Sequence, residues 1–315
     1  MKTSKRLRRN IAIWLAAGLF MTSASGMAAG PIMPDPKAEA RHQPQVEETA
    51  NGIPLVNITA PSSGGVSRNE YETFNVPDKG AILNNSYTLS KTELAGYVQG
   101  NNNMAERPAK IIVNEVTGAG STSMDGFLEV AGNRADVVIA NPNGITVNGG
   151  GFINTGKAFL TTGKPVYDGE DHLQRFDITG GDILIEGKGL GGKETGSLAI
   201  LSRAVKINAG IWAKDLHITT GANTVDAKTL EASAIEGKGG HPAFALDTAA
   251  IGGMYAGRIT LVGTEKGLGV NNSGTWSAED NLTLDWNGDL KNSGTIYSKG
   301  NTDLRASCLE NDKTI

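Results

Sequence analysis

The chain has 315 residues, with 29 Lys and Arg against 33 Asp and Glu and a formal net charge of −4. Nucleic-acid binding through overall charge is therefore excluded, because the phosphate backbone requires a basic surface. A single cysteine, Cys308, excludes an internal disulfide framework. The 42 glycines, together with only 5% aromatic residues, indicate many tight turns around a core of small aliphatic side chains.

Residues 1–29 have the pattern of a secretory signal peptide. The apolar run 11–20 is too short for a membrane span, which needs roughly 20 residues, and small residues offer cleavage near Ala28 or Ala29. Cleavage leaves 24 basic and 33 acidic residues, and so a net charge of about −9. The basic residues that precede the apolar run are Lys2, Lys5, Arg6, Arg8 and Arg9.

Residues 30–50 hold four of the eleven prolines and almost no apolar periodicity. We predict that they form a mobile leader. From residue 51 onward, short β-prone runs such as "KIIVNEV", "DVVIA", "DILIEG" and "RITLVG" alternate with clusters of Gly, Asn, Asp and Ser. No stretch keeps an apolar period of 3.6 residues for long, so the pattern predicts an all-β chain.

An internal repeat appears near the C-terminal end of the chain. "VNNSGTW" begins at Val270, "LKNSGTI" at Leu290 and "LENDKTI" at Leu309, so the copies follow after 20 and then 19 residues. A β-prone repeat with a period near 20 residues, and thus one or two strands per turn, predicts a solenoid of stacked coils. Stacking places like side chains at the strand spacing, where asparagine amides can donate and accept along a ladder. The predicted ladder positions are Asn272, Asn292 and Asn311.

The motif "NPNGI" at 141–145 predicts a stiff corner between strands. Asn141 suits the first position of a type I turn, Pro142 presets the backbone of the second, and Gly144 is tolerated at the fourth. Asn143 is a further candidate for a buried turn, and Ile145 begins the next apolar run.

The sequence does not predict an enzyme. In "YDGEDH" at 167–172, Asp168, Glu170, Asp171 and His172 come together, but we interpret them as a solvated loop between coils rather than a catalytic carboxylate pair. The four histidines lack the spacing of metal ligands. We therefore expect no catalytic residue, no metal, no cofactor and no small-molecule substrate. The tryptophans Trp212, Trp276 and Trp286 suit a sugar-binding platform or packing on successive coils, and we favour packing.

Several long segments, taken in order over about residues 51–270, resemble the N-terminal secretion domain of two-partner secretion (TPS) exoproteins, namely filamentous haemagglutinin adhesins and contact-dependent growth-inhibition exoproteins. Among them are "NGIPLVNITAPSSGGVSRNEYETFNV", "KIIVNEVTG", "EVAGNRADVVIANPNGITVNGGGFINTGKAFLTTG" and "AFALDTAAIGGMYAGRITLVGTEKGLGV". The resemblance implies a right-handed parallel β-helix with an N-terminal cap. It also implies recognition by the periplasmic POTRA domains of an outer-membrane β-barrel transporter, and a location outside a Gram-negative cell.

The asparagine motifs of this family match the chain unequally. Asn-Pro-Asn-Gly-Ile is intact at 141–145, whereas the other motif, usually Asn-Pro-Asn-Leu, reads Asn101-Asn102-Asn103-Met104 and lacks its proline. Haemagglutinin-like relatives often carry a cysteine pair where Val147 and Gly150 stand here. Two roles stay open for the motif residues Asn101, Asn103 and 141–145: recognition by the transporter, or fold-defining turns.

We expect residues 271–315 to be the start of β-helical repeats that are truncated here, with the effector activity outside the given residues. The alternative function is a short secreted β-helical adhesin that binds carbohydrate or a host surface. A receptor on a host-cell or bacterial surface is a candidate second partner, whereas nucleic acid is not an expected partner.

Overall fold

The computed structural model describes residues 31–105 and 107–315. Within these ranges, the regular elements are β-strands and two single-turn 3₁₀ helices, Ala40–His42 and Asn102–Met104, and no helix is long and apolar enough to cross a membrane. The predicted signal peptide lies outside the described residues.

The first strands are β1 (Ile32–Pro34), β2 (Gln45–Glu48), β3 (Pro54–Asn57), β4 (Val66–Phe74), β5 (Ala81–Asn85), β6 (Ser90–Thr92), β7 (Gly96–Val98), β8 (Ile111–Val116), β9 (Thr122–Met124), β10 (Phe127–Gly132), β11 (Ala135–Ala140), β12 (Ile145–Val147), β13 (Gly150–Ile153) and β14 (Thr155–Thr161). The remaining strands are β15 (Lys164–Tyr167), β16 (Leu173–Ile178), β17 (Asp182–Ile185), β18 (Leu190–Gly192), β19 (Ser197–Ser202), β20 (Ala204–Ile207), β21 (Gly210–Thr220), β22 (Asn223–Asp226), β23 (Ala232–Ala234), β24 (Leu246–Thr248), β25 (Gly253–Gly263), β26 (Val270–Asn272), β27 (Thr275–Ala278), β28 (Leu282–Trp286), β29 (Leu290–Asn292), β30 (Thr295–Ser298), β31 (Thr302–Arg305) and β32 (Leu309–Asn311).

Most strands stack in three parallel columns, and each full coil of the chain contributes to all three. Column 1 runs β9, β12, β17, β20, β24, β26, β29, β32. Column 2 runs β3, β5, β10, β13, β18, β21, β25, β27, β30. Column 3 runs β4, β8, β11, β14, β19, β21, β25, β28, β31, with the long strands β21 and β25 belonging to both of these columns. The predicted all-β parallel β-helix is confirmed.

The core of the helix is built from aligned aliphatic side chains. Along column 3 one inward position is filled in the seven coils from β8 to β28 by an aliphatic residue at most 2% exposed, and these residues pair in register. Each coil alone cannot bury this position, so its stability depends on the coils on either side. The residues at this inward position are Ile112, Val137, Ala158, Leu198, Leu216, Ile259 and Leu282.

Two small antiparallel sheets lie outside the helix and bury parts of its outer surface. The four-stranded sheet β15–β16–β22–β23 packs Phe176 and Val225 against Phe159 and Ala199 of column 3. The hairpin β6–β7 packs Val98 against column 2. The helix therefore has one core inside and two smaller ones on its outer faces.

The predicted mobile leader at residues 30–50 is wrong for the described residues 31–50, which cap the helix. β1 pairs antiparallel with β4, and β2 pairs antiparallel with β3, so the first strands of columns 2 and 3 are covered. Ile32 is 4% exposed and joins the main core. The segment has no apolar period because it only needs to supply single edge strands, and proline is tolerated there.

A partly buried histidine makes the stability of this fold dependent on pH. Burial lowers the pKa of His217, on β21, from 6.5 to about 4, and its Nε2 lies 2.9 Å from the Thr219 hydroxyl. As pH falls through 6.5, His217 takes up a proton in the unfolded chain but not in the folded chain. The contribution of the neutral His217 to the free energy of unfolding is therefore complete above pH 6.5 and is lost as pH falls towards 4. We expect a loss of about 3 kcal/mol across this window.

Urea unfolding at intervals between pH 4 and 7.5 measures the effect, and His217→Gln should flatten the profile. An equal slope for the wild type and His217→Gln would contradict the assignment.

Candidate functional site

The corner at 141–145 is closed by a fully buried asparagine. Asn141 accepts the backbone N–H of Asn143 through Oδ1 at 2.9 Å, and its Nδ2 donates to the carbonyl of Gly120 at 2.9 Å and the hydroxyl of Thr122 at 3.0 Å. The backbone N–H of Gly144 closes the turn on the Asn141 carbonyl at 3.1 Å. One side chain thus stabilises its own turn and fastens it to the preceding coil.

Of the other residues in this motif, some lie at the surface and some in the core. Pro142 and Asn143 are exposed, although Asn143 Nδ2 donates to the Gly118 carbonyl at 2.8 Å. Gly144 has φ of 109°, which L side chains rarely adopt, and Ile145 is 2% exposed in the main core. The corner therefore directs one apolar side chain inward and two residues outward.

The corner at 101–104 repeats this arrangement without the proline. Asn101 accepts the N–H of Asn103 at 3.0 Å and donates to the carbonyls of Ile58 and Asn84, both at 2.9 Å. Asn103 Nδ2 also donates to Ile58, at 3.1 Å, and Met104 is 1% exposed. The two Asn-rich motifs thus share one geometry, a local turn bond plus bonds to a neighbouring carbonyl.

The structure places Asn272, Asn292 and Asn311 in register in column 1. Asn272 Nδ2 donates to Asn292 Oδ1 at 2.8 Å, and Asn292 Nδ2 donates to Asn311 Oδ1 at 2.7 Å. Asn272 and Asn292 are buried, whereas Asn311 is exposed. These residues lie far from the two Asn-rich corners in sequence and form a separate ladder.

Other buried asparagines, which the sequence alone did not identify, also bond to neighbouring coils through their side chains. Asn85 is fully buried, donates to the carbonyls of Ala109 and Asn133, and accepts the N–H of Ala109 at 2.7 Å. Asn69 and Asn114 pair in register on β4 and β8 and are also fully buried. Their only sequence signal was an asparagine inside or at the end of a β-prone run.

A charged cluster that sequence reasoning also missed joins the cap to the outer sheet. Arg68 Nη2 lies 2.8 Å from Glu70 and 3.4 Å from Glu115, and the Tyr167 ring lies 4.4 Å from the Arg68 guanidinium carbon. Burial raises the pKa of Glu115, and Arg68 partly opposes this rise. His42 contacts Glu70 at 3.1 Å. These residues lie far apart in sequence, so spacing could not reveal the cluster.

The loop at 167–172 connects β15 to β16, and its polar groups form hydrogen bonds with one another. Asp168 accepts the backbone N–H groups of Glu170 and His172, which lowers the pKa of its carboxyl. Asp171 lies 2.8 Å from Arg41 of the cap. In the described part of the chain no group of three or more His, Cys, Asp or Glu is arranged to hold a metal ion.

The packing role favoured for the tryptophans is confirmed for two of them. Trp276 is fully buried and donates its indole N–H to the Thr248 hydroxyl, and Trp286 is 4% exposed and donates to the Leu268 carbonyl. Trp212 is only partly buried and lies on the outer surface of column 2.

The capped β-helix, its asparagine-closed corners and its outer sheets define the class of this chain, namely the β-helical secretion domains of two-partner secreted exoproteins. The chain belongs to the TPS secretion domain family, whose profile matches residues 31–296. The match extends beyond the predicted bounds of 51–270 at both ends and includes the cap. The domain is therefore of the kind that directs exoproteins into two-partner secretion, and exoproteins of this type are secreted or surface-exposed in Gram-negative bacteria.

Known relatives support this membership. The chain is 42% identical over 311 residues to "Toxin CdiA" of Yersinia pestis and 44% identical over 260 residues to "16S rRNA endonuclease CdiA" of Enterobacter cloacae. The matches cover 91% and 82% of this chain but only 9% and 8% of those proteins. The crystal structure of the filamentous hemagglutinin secretion domain is 32% identical, with a TM-score of 0.75, and the match covers 90% of this chain and 97% of that one.

The missing proline in the first corner provides a test of its geometry. Asn102 is exposed in the 3₁₀ turn, and Asn101 before it is extended, with φ of −81° and ψ of 118°. Both conformations accept proline at 102, so Asn102→Pro should raise the free energy of unfolding by about 0.5 kcal/mol. Asn101→Ala should lower it by about 2 kcal/mol, because buried carbonyls lose their donors.

Chemical denaturation of the purified variants measures both effects. A destabilising proline would contradict the turn geometry, and an alanine variant as stable as the wild type would contradict the role of the buried amide.

Proposed function

We propose that this domain is the address by which a larger exoprotein reaches its transporter. The periplasmic POTRA domains of the cognate outer-membrane β-barrel bind the chain before it folds, and the β-helix forms outside the cell. Family membership supports the two-partner route. The burial of Asn141 in the folded domain supports the order of events, and it is the observation that carries the proposal.

The buried corner limits what a folded domain offers to a receptor. Asn141 is 0% exposed, and both polar atoms of its side chain are engaged in hydrogen bonds. Only Pro142 and Asn143 face outward. A transporter that reads Asn141 must therefore contact the chain before the coil closes. Recognition and turn formation then use the same residue at successive stages.

The strand pairing leads to the same order. β11 pairs with β8 on one side and with β14 on the other, so its backbone groups are used on both edges in the folded domain. Strand addition to a POTRA sheet needs such groups to be free. Binding by strand addition and folding into the helix therefore compete for the same backbone groups.

Folding outside the cell supplies a direction to export. Each coil pairs with the adjacent coils, so the helix can grow one coil at a time on a formed template. The cap provides such a template, since β2 pairs with β3 over a short sequence separation and β1 then covers β4. Once coils have stacked outside, unfolding them for return through a barrel is unfavourable.

We further propose that the domain leads a longer adhesin, haemagglutinin or growth-inhibition toxin. The curated relatives support a longer protein, since the matches cover less than a tenth of their length. The toxic activities in the names of these relatives belong to those proteins, and no residue of the present domain is assigned to such an activity.

A pair of matched alanine variants separates recognition from folding. Asn141 and Asn292 are both buried and both bond through the side-chain amide to a neighbouring coil, but only Asn141 lies in an Asn-rich corner motif of the family. We expect both substitutions to lower the unfolding free energy, by about 2 kcal/mol each. We expect only Asn141→Ala to weaken capture of the urea-unfolded chain by the purified POTRA domains, by about tenfold.

Secretion into the medium with and without the transporter completes the test. The wild type and Asn292→Ala should depend on the transporter, and Asn141→Ala should accumulate in the periplasm. The recognition role is refuted if Asn141→Ala is captured as well as the wild type. Export of the wild type without any transporter would refute the proposed route as a whole.

A further inference from the structure

A row of outward-facing residues runs along column 2 of the β-helix, and neither outer sheet covers it. Four of its seven members are aromatic, and we call the row the aromatic column. Seven residues of successive coils pair in register along it, and three of its aromatic members are 39% to 49% exposed. The aromatic column consists of Phe127, Gly151, Gly191, Trp212, Tyr255, Ser277 and Tyr297. In the described part of the chain, the cores beneath the two outer sheets include none of these side chains.

Glycines let these rings lie against the strands. A Cβ on Gly151 would stand 2.4 Å from Cε1 of Phe127, and one on Gly210 would stand 2.5 Å from Cη2 of Trp212. A Cβ on Gly253 would likewise meet the Tyr255 hydroxyl at 2.8 Å. The rings of Trp212 and Tyr255 are nearly parallel, at 16°, with centroids 6.1 Å apart. Because these positions are glycine and have no side chain, the aromatic rings can lie directly against the backbone.

Polar groups of both signs surround the two adjacent rings. A surface groove of about 570 Å³ beside Trp212 and Tyr255 is also lined by Lys193, Lys214 and Glu279. Glu279 pairs with Lys299, whereas the ion pairs among the described residues do not include Lys193 or Lys214. The groove thus offers cationic donors, a carboxylate acceptor and apolar rings within one site.

We propose that this groove and the aromatic column bind an oligosaccharide. Pyranose rings have an apolar C–H face that packs on the electron-rich face of an aromatic ring, while their hydroxyls need donors and acceptors at the rim. The column is one side chain wide and follows the helix axis, so it suits a linear chain. Nucleic acid would need a basic groove, and a nonpolar helix would need an uninterrupted apolar stripe, which Ser277 and the charged rim break.

The saccharide we assign is the oligosaccharide of lipopolysaccharide, and this choice rests on the proposed function. A domain that folds on emerging from the outer membrane meets these chains first. They carry phosphate and acidic sugars, and Lys193 and Lys214 stand beside the rings to pair with such groups. Opposite charge therefore favours this source although the chain as a whole is negative.

Tryptophan fluorescence offers a direct measurement because Trp276 and Trp286 are buried, which leaves Trp212 as the accessible reporter among the described residues. Core oligosaccharide freed of its lipid is titrated into the protein purified from inclusion bodies and refolded from urea, which requires no export. We expect a saturable change in emission, and Tyr255→Ala should raise Kd by about tenfold or more while keeping the reporter. Lys214→Ala should raise Kd less, and more at low salt than at high salt.

Tyr87→Ala is the matched control, since Tyr87 is 48% exposed but precedes the hairpin β6–β7, outside the aromatic column. Its Kd should stay within about twofold of the wild type. Absence of saturation, or a Tyr255→Ala variant that binds like the wild type, would overturn the site. Saturable binding of neutral milk-type tetrasaccharides without binding of the core oligosaccharide would overturn the assigned source. The assay uses purified protein, so its failure is distinct from a failure of transporter-dependent export.

Discussion

The stacking of parallel coils imposes one demand on which the rest of this structure depends. At every corner the chain leaves a strand, and its backbone polar groups must find partners where neighbouring coils exclude water. Buried asparagine amides meet this demand, because each can accept a local N–H and donate to a carbonyl of an adjacent coil. Asn101 and Asn141 do this at two corners, and Asn272 and Asn292 continue it as a ladder.

The same demand separates the exported state from the folded state. In the helix the central strands are paired on both edges, and the N-terminal edges are covered by β1 and β2. At its N-terminal end the folded domain therefore exposes few backbone groups for strand addition, which limits its association with other sheets there. In the proposed route, a transporter that uses strand addition would bind a chain whose backbone hydrogen bonds are not yet formed, and completion of the coils would end that interaction.

The outer surface shows how the helix is adapted beyond its core. Two antiparallel sheets cover part of it with apolar contacts, and a charged cluster around Arg68 ties one of these sheets to the cap. Elsewhere glycines replace outward side chains and rings of Phe127, Trp212 and Tyr255 lie over them. Glycine thus serves two purposes in this chain, positive φ at corners such as Gly144 and close approach of rings to the backbone.

By itself the sequence determined the all-β class, the coil period near residues 270–311, the corner at 141–145 and the register of Asn272 with Asn292, because these depend on local turn chemistry and on repetition along the chain. Only the tertiary structure decided that residues 31–48 form a cap, that Trp212 stays at the surface while Trp276 is buried, and that Arg68, Glu115 and Tyr167 meet. These features join segments far apart in sequence through single contacts, and a contact made once leaves no period or spacing in the sequence.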